Sequence, residues 1–160
     1  MVETGRLIYI HGRDSDSNSG KARLFREWFP GIITPDFKGS FDERMSQLQK
    51  ILSVQAGWTL IGSSYGGLMA TIFTLEHEEQ VRKLVLLAPA LAQEIAPLPK
   101  PGPISIPTIL IHGTQDTVVP FDPVREIAQR LFNNLTLYSV EDDHRLHKTA
   151  NELDWNTILA

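Results

Sequence analysis

The chain contains no cysteine, which excludes disulfides, thiolate metal sites and a thiol nucleophile, so any covalent catalysis must run through oxygen or nitrogen. It also lacks an excess of positive charge: 15 Lys and Arg stand against 19 Asp and Glu, for a formal net charge of -4. The basic residues are scattered, so no field is present to hold a phosphate backbone, and nucleic acid is not an expected partner. Long hydrophobic runs are missing too. Stretches such as "KLVLLAPALA" fall well short of the roughly 20 residues that span a bilayer, so no membrane span is expected. The opening "MVETGRLIYIHG" has no basic segment ahead of a long apolar stretch and a small-residue cleavage site, which reads as a cytoplasmic protein.

What is present is a globular composition, 42% hydrophobic and 21% charged over 160 residues. That length suits one hydrophobic core, and a single domain over 1–160 is expected. Short apolar, β-rich runs recur: "RLIYIHG" at 6–12, "GIITPDF" at 31–37, "WTLIGSS" at 58–64, "KLVLLAP" at 83–89, "PTILIHG" at 107–113 and "LTLYSV" at 135–140. Most lack polar alternation, as strands covered on both faces do, which predicts a mainly parallel sheet of about six strands. Helical spacing lies between them at about 20–29, 41–55, 65–77, 122–132 and 145–157, the second with Phe41, Met45, Leu48, Ile51 and Leu52 on one stripe. Alternating β and α segments predict an α/β fold, a three-layer α/β/α sandwich, whose ligands sit at the carboxyl ends of the strands.

One segment breaks the alternation. "PALAQEIAPLPKPGPISIP" carries Pro89, Pro97, Pro99, Pro101, Pro103 and Pro107, and proline's fixed φ and missing N–H preclude a long helix or strand. A stiff loop in place of a crossover helix is expected there, rimming the mouth of a site.

The sharpest local signal is Gly62-Ser63-Ser64-Tyr65-Gly66. Centred on Ser64 it reads G-x-S-x-G; centred on Ser63 it would place Ile61 and Tyr65 where small residues are needed. The glycines answer a steric demand, since the chain must turn abruptly from strand into helix with the serine at a strained position. The flanks agree, "WTLIG" being β-like and "GGLMATIFTL" helix-like. A serine hydroxyl needs a base to become nucleophilic, and that base needs an acid to hold its tautomer.

Here the chain resembles the α/β-hydrolase superfamily, whose residues run in the order nucleophile, acid, histidine. "ILIHGTQDTVVP" looks like the family's acid loop and implies Asp116 as the acid; "LTLYSVEDDHRLH" implies His144 as the general base, four residues past the last strand. His147 is the alternative histidine, Asp142 and Asp143 are fallback acids, and Asp122, before Pro123, suits a helix N-cap. The resemblance further implies an oxyanion hole of backbone N–H groups from Tyr65 and from Arg13, the latter in the loop "HGRDSDSNSG". Gly12 would let substrate approach the chain; the side chains of Arg13 and Asp14 either line the pocket or, the more ordinary reading, belong to a solvated loop. The likeness covers nearly the whole chain and is to small bacterial serine esterases without a cap domain.

The function so implied is hydrolysis of a carboxylic ester or thioester of a small acyl substrate through an acyl-enzyme, with no cofactor and no metal. A peptidase or C–C hydrolase on the same triad, or a non-catalytic binding member of the fold, remains the alternative. Other patterns fail on their own terms. A phosphate loop from Gly12 to Lys21 is too long and has Ala22 in place of Ser or Thr, and an EF-hand at Asp14 has Ser19 and Phe25 at its glycine and glutamate positions. His11 and His112 have no partner at metal-ligand spacing and are expected to bond nearby backbone. Trp28, Trp58 and Trp155 read as core or helix-sheet packing.

Overall fold

The computed structural model describes residues 2–99 and 102–160. Five strands form one parallel sheet in the order of the chain: β1 (Leu7–Ile10), β2 (Trp58–Ser63), β3 (Val81–Leu87), β4 (Thr108–Gly113) and β5 (Leu135–Val140). Six helices accompany them: α1 (Gly20–Trp28), α2 (Phe41–Leu52), α3 (Tyr65–Glu76), α4 (Phe121–Leu131), α5 (His147–Glu152) and α6 (Trp155–Leu159).

The strands alternate their side chains between two cores, as a pleated backbone must. Ile8, Ile10, Leu60, Leu84, Leu86 and Leu110 face a core closed by α2, α3 and α4. Leu7, Tyr9, Ile61, Val85, Leu87 and Ile111 face the other, closed by α1, α5 and α6. Every residue of β1 and β2 is buried, which is why their runs read as continuously apolar. The molecule is therefore the three-layer α/β/α sandwich that the alternation predicted.

Helix starts follow local chemistry. The Ser19 hydroxyl accepts from the Ala22 N–H at the head of α1, and Ser40 with Glu43 forms a reciprocal capping box at the head of α2. Met45, Leu48 and Leu52 from the α2 stripe are buried, with Phe41 and Ile51 packed against the same core.

Four sequence readings need correction. The run at 31–37 is no strand: Ile33 alone bridges to Ile8, because Pro35 lacks the N–H that a continued ladder requires. The helix expected at 145–157 is two, separated at Leu153 and Asp154, whose carboxylate caps α6 through the Thr157 N–H. Asp122 lies inside the first turn of α4, after Pro120 as N-cap, and pairs with Arg125 at 3.3 Å. Trp28 is 38% exposed at the end of α1, whereas Trp58 and Trp155 are buried. In the proline-rich segment the described residues form no helix or strand, only the bridge of Ile104 to Phe132; Pro101 lies outside the described residues.

Candidate active site

β2 ends at Ser63 and α3 begins at Tyr65, so Ser64 carries the whole reversal between strand and helix. Its φ of 55° and ψ of -115° are a conformation that a residue with a Cβ rarely adopts. Backbone bonds hold it there: its N–H donates to the Leu87 carbonyl at 2.9 Å, and its carbonyl accepts from Gly67 and Ala90 at 3.0 Å each. The glycines leave no alternative. A Cβ on Gly62 would stand 2.5 Å from the Gly66 carbonyl oxygen, and one on Gly66 would overlap the carbonyl of Ile10. Ser63 is buried within β2 and pairs with Leu87, so the two adjacent serines have separate surroundings.

Two loops from later strands meet Ser64. Asp116 sits in the turn after β4, its Oδ1 accepting the N–H groups of Val118 at 2.9 Å and Val119 at 2.7 Å. His144 sits between β5 and α5. Its Nδ1–H donates to Asp116 Oδ2 at 2.7 Å, and its Nε2 stands 3.0 Å from Ser64 Oγ. An ionised carboxylate only accepts, so the proton belongs on Nδ1 and Nε2 is left free to accept from the serine hydroxyl. The two loops are stacked: a Cβ on Gly113 would meet the Asp142 and Asp143 carbonyls, and Gln115 N–H donates to Asp142 O at 3.1 Å.

The other titratable candidates are engaged elsewhere. Asp142 Oδ2 accepts from the Thr149 hydroxyl at 2.7 Å and the Thr149 N–H at 3.0 Å. Burial by itself would raise its pKa, but these bonds outweigh it and hold the carboxyl below its ordinary value. Asp143 accepts from the Arg145 N–H. His147 opens α5 as an exposed residue, outside the hydrogen-bonded chain of Ser64, His144 and Asp116.

Opposite the serine, Gly12 comes so close that a Cβ there would lie 3.6 Å from Ser64 Cβ. Arg13 follows it, and neither the Arg13 nor the Tyr65 backbone N–H meets an acceptor among the described residues. Asp14 is exposed. The Pro-rich segment starts beside this cluster, since Ala90 bonds Ser64 and the Gln93 amide donates to Val118 O at 3.0 Å. Farther along, the same segment walls an open groove of about 370 Å³ with Phe41, Met45, Gln49 and Ile72, away from Ser64, Asp116 and His144.

His112 and His11 bond nearby backbone as expected, and one residue of this region, Arg44, was not recognised from the sequence. His112, fully buried on β4, donates from Nε2 to Val119 O at 2.8 Å and stands 3.3 Å from Asp116 Oδ2, so it braces the acid loop. His11 bonds backbone in the same way, at Gly12 O and Phe37 N. Arg44 is 8% exposed on α2, its Nη2 donating to the Arg13 carbonyl at 3.1 Å and its Nε to the Gly39 carbonyl at 3.2 Å. A signal for it did exist: position 44 falls three after Phe41 and four before Leu48, on the stripe that faces the core.

Comparison with known proteins gives the family and the fold. The family described as "Serine hydrolase (FSH1)" matches residues 8–154. Comparison with curated protein sequences gives no match. Among solved structures, alpha/beta hydrolase domain-containing protein 10 from mouse superposes with a TM-score of 0.79 at 18% identity, over 99% of this chain and 89% of that one. Est1E from Butyrivibrio proteoclasticus gives 0.73 at 14% identity, over 96% and 88%. A monoacylglycerol lipase from Paleococcus ferrophilus gives 0.65 at 15% identity, over 89% of each chain. At these identities the superpositions establish the fold alone, and the family match establishes the family. The chain belongs to the FSH1 serine hydrolase family, on the α/β-hydrolase fold.

Proposed function

We propose that the protein hydrolyses carboxylic esters or thioesters, with Ser64 as nucleophile, His144 as general base and acid, and Asp116 as the residue that holds His144. The observation that carries this reading is the unbroken hydrogen-bond chain from Ser64 Oγ through both nitrogens of His144 to Asp116 Oδ2, at 3.0 and 2.7 Å. Its members come from three separate loops, and an acyl-transfer triad needs this order of contacts.

Ser64 Oγ attacks the acyl carbon while its proton passes to His144 Nε2. The tetrahedral oxyanion lies between the N–H groups of Arg13 and Tyr65, and collapses as His144 returns the proton to the departing alcohol or thiol. Water then attacks the acyl-enzyme by the same route, releasing the acid and restoring Ser64. Asp116 stays ionised throughout, fixing the imidazole tautomer and stabilising the imidazolium. The missing side chain at Gly12 lets the acyl group approach the chain beside Ser64. Asp14, which is exposed, lines the pocket in this reading, and the chain acts as one domain without a cap.

The test is labelling by a fluorophosphonate probe, expected for the native protein and absent from Ser64→Ala. A panel of p-nitrophenyl esters, acyl thioesters and aminoacyl amides then fixes the leaving group, and cleavage of the amides alone would replace the esterase reading with a peptidase one.

A further inference from the structure

Arg44 is a buried cation that forms no ion pair among the described residues. A guanidinium is a fixed positive charge in proteins, so the charge must be accommodated where it stands. Two backbone carbonyls take Nε and Nη2, and Nη1 is buried without a hydrogen-bond partner among the described residues. The ion pairs among the described residues involve neither Arg44 nor Arg13.

Both guanidinium groups converge on one aromatic ring. The Cζ atoms of Arg13 and Arg44 each lie 5.2 Å from the centroid of Tyr65, the residue directly after Ser64. The ring face offsets part of the charge, as cation–π contacts do. It does not remove the repulsion between two like charges gathered at one residue. Arg44 also grips the Arg13 carbonyl, which keeps the exposed Arg13 side chain on this side of the site.

We propose that the substrate carries an anionic group, a carboxylate or a phosphate, close to the scissile carbonyl, held by the Arg13 guanidinium over Tyr65 and by the field of Arg44 behind it. This deepens the hydrolase reading and rests on it. An anion at Tyr65 turns the mutual repulsion of the two arginines into two attractions, and Arg44, shielded from water, acts on it with less screening than a surface charge would. The Arg13 side chain is the direct contact, because it is exposed. The groove beside Pro97 does not suit the same group, since Asp42 and Glu76 line it.

The experiment compares esters that differ only in one charge. p-Nitrophenyl hydrogen adipate against p-nitrophenyl methyl adipate places the charge on the acyl side, and 4-acetoxybenzoate against its methyl ester places it on the alcohol side. In at least one pair the anionic member is expected to show a kcat/KM about tenfold higher at low ionic strength, the size of a single charge-assisted contact. The ratio should shrink with added salt and fall toward one in both Arg13→Gln and Arg44→Gln. Arg13→Gln changes an exposed side chain and keeps the test informative if Arg44→Gln folds poorly. Ser64-dependent hydrolysis with ratios near one in both pairs, or a preference that survives in Arg13→Gln, would overturn the proposal alone. Ester hydrolysis undiminished in Ser64→Ala would overturn the triad reading and this proposal with it.

Discussion

His112 Nε2 lies 3.3 Å from Asp116 Oδ2, the same carboxylate oxygen that His144 Nδ1 holds at 2.7 Å. Burial keeps the His112 imidazole below its ordinary pKa of 6.5, against the opposing effects of the Val119 carbonyl and the Asp116 carboxylate. The unfolded chain therefore takes up a proton that the folded chain refuses. The stability contributed is complete above about pH 6.5 and is lost as pH falls, at roughly 1.4 kcal/mol per pH unit at most. His112→Gln keeps an amide donor for Val119 and does not titrate. Its melting temperature is expected to fall less than that of the native protein between about pH 6.5 and 5, measured by circular dichroism; parallel curves would refute the role.

The strain at Ser64 predicts unequal effects from two small replacements. Glycine tolerates φ of 55° and alanine does not. Ser64→Gly is expected to gain on the order of 1 kcal/mol, a rise of about 2–4 °C in melting temperature, while Ser64→Ala gains little. Both should lose ester hydrolysis. Calorimetry checks the difference, and equal melting points would argue that the serine backbone is unstrained.

Asp116→Asn retains an oxygen for the Val118 and Val119 N–H groups, so the loop should keep its shape. It removes the charge that selects the His144 tautomer, and kcat is expected to drop by about 10³–10⁴-fold. Asp142→Asn weakens the contact with Thr149 instead, costing about 1 kcal/mol of stability with a far smaller fall in kcat. Steady-state rates on one ester decide between the two acids; a larger loss from Asp142→Asn would reverse the assignment.

Two glycines near the serine separate folding from access. A methyl on Gly66 would run into the backbone of Ile10 and His11, so Gly66→Ala should destabilise by about 3 kcal/mol or more. A methyl on Gly12 would touch Ser63 O and Ser64 Cβ at 3.6 Å, an ordinary contact, and Gly12→Ala should change stability by less than about 1 kcal/mol. It would nonetheless fill the space above the nucleophile, raising KM and lowering kcat/KM. Urea denaturation and ester kinetics on both variants test this; an unaltered KM in Gly12→Ala would show that substrate does not pass there.

Much of the architecture was legible because its signals are local. Continuous apolar runs marked β1 to β4, and G-x-S-x-G marked the turn at Ser64, where steric exclusion acts within five consecutive residues. β5 was found too, although as an edge strand it exposes Tyr138 and is only half-buried along its length. The misreadings share a cause. Whether 31–37 pairs, whether the last helix continues past Leu153, and whether Trp28 is covered all depend on what lies alongside, which spacing along the chain does not record.

By itself the sequence determined which groups are available: one serine flanked by the small residues its turn demands, no thiol to compete with it, and an acid and a histidine after later strands. Only the tertiary structure decided which of them meet. Ser64 and His144 are 80 positions apart and His144 and Asp116 are 28 apart, yet parallel strands deliver all three loops to one end of the sheet. The same packing put Arg44 beneath Arg13 and Tyr65, in no ion pair among the described residues. Burial and mutual distance are properties of neighbours brought together by folding, and a linear pattern holds only the propensity for them.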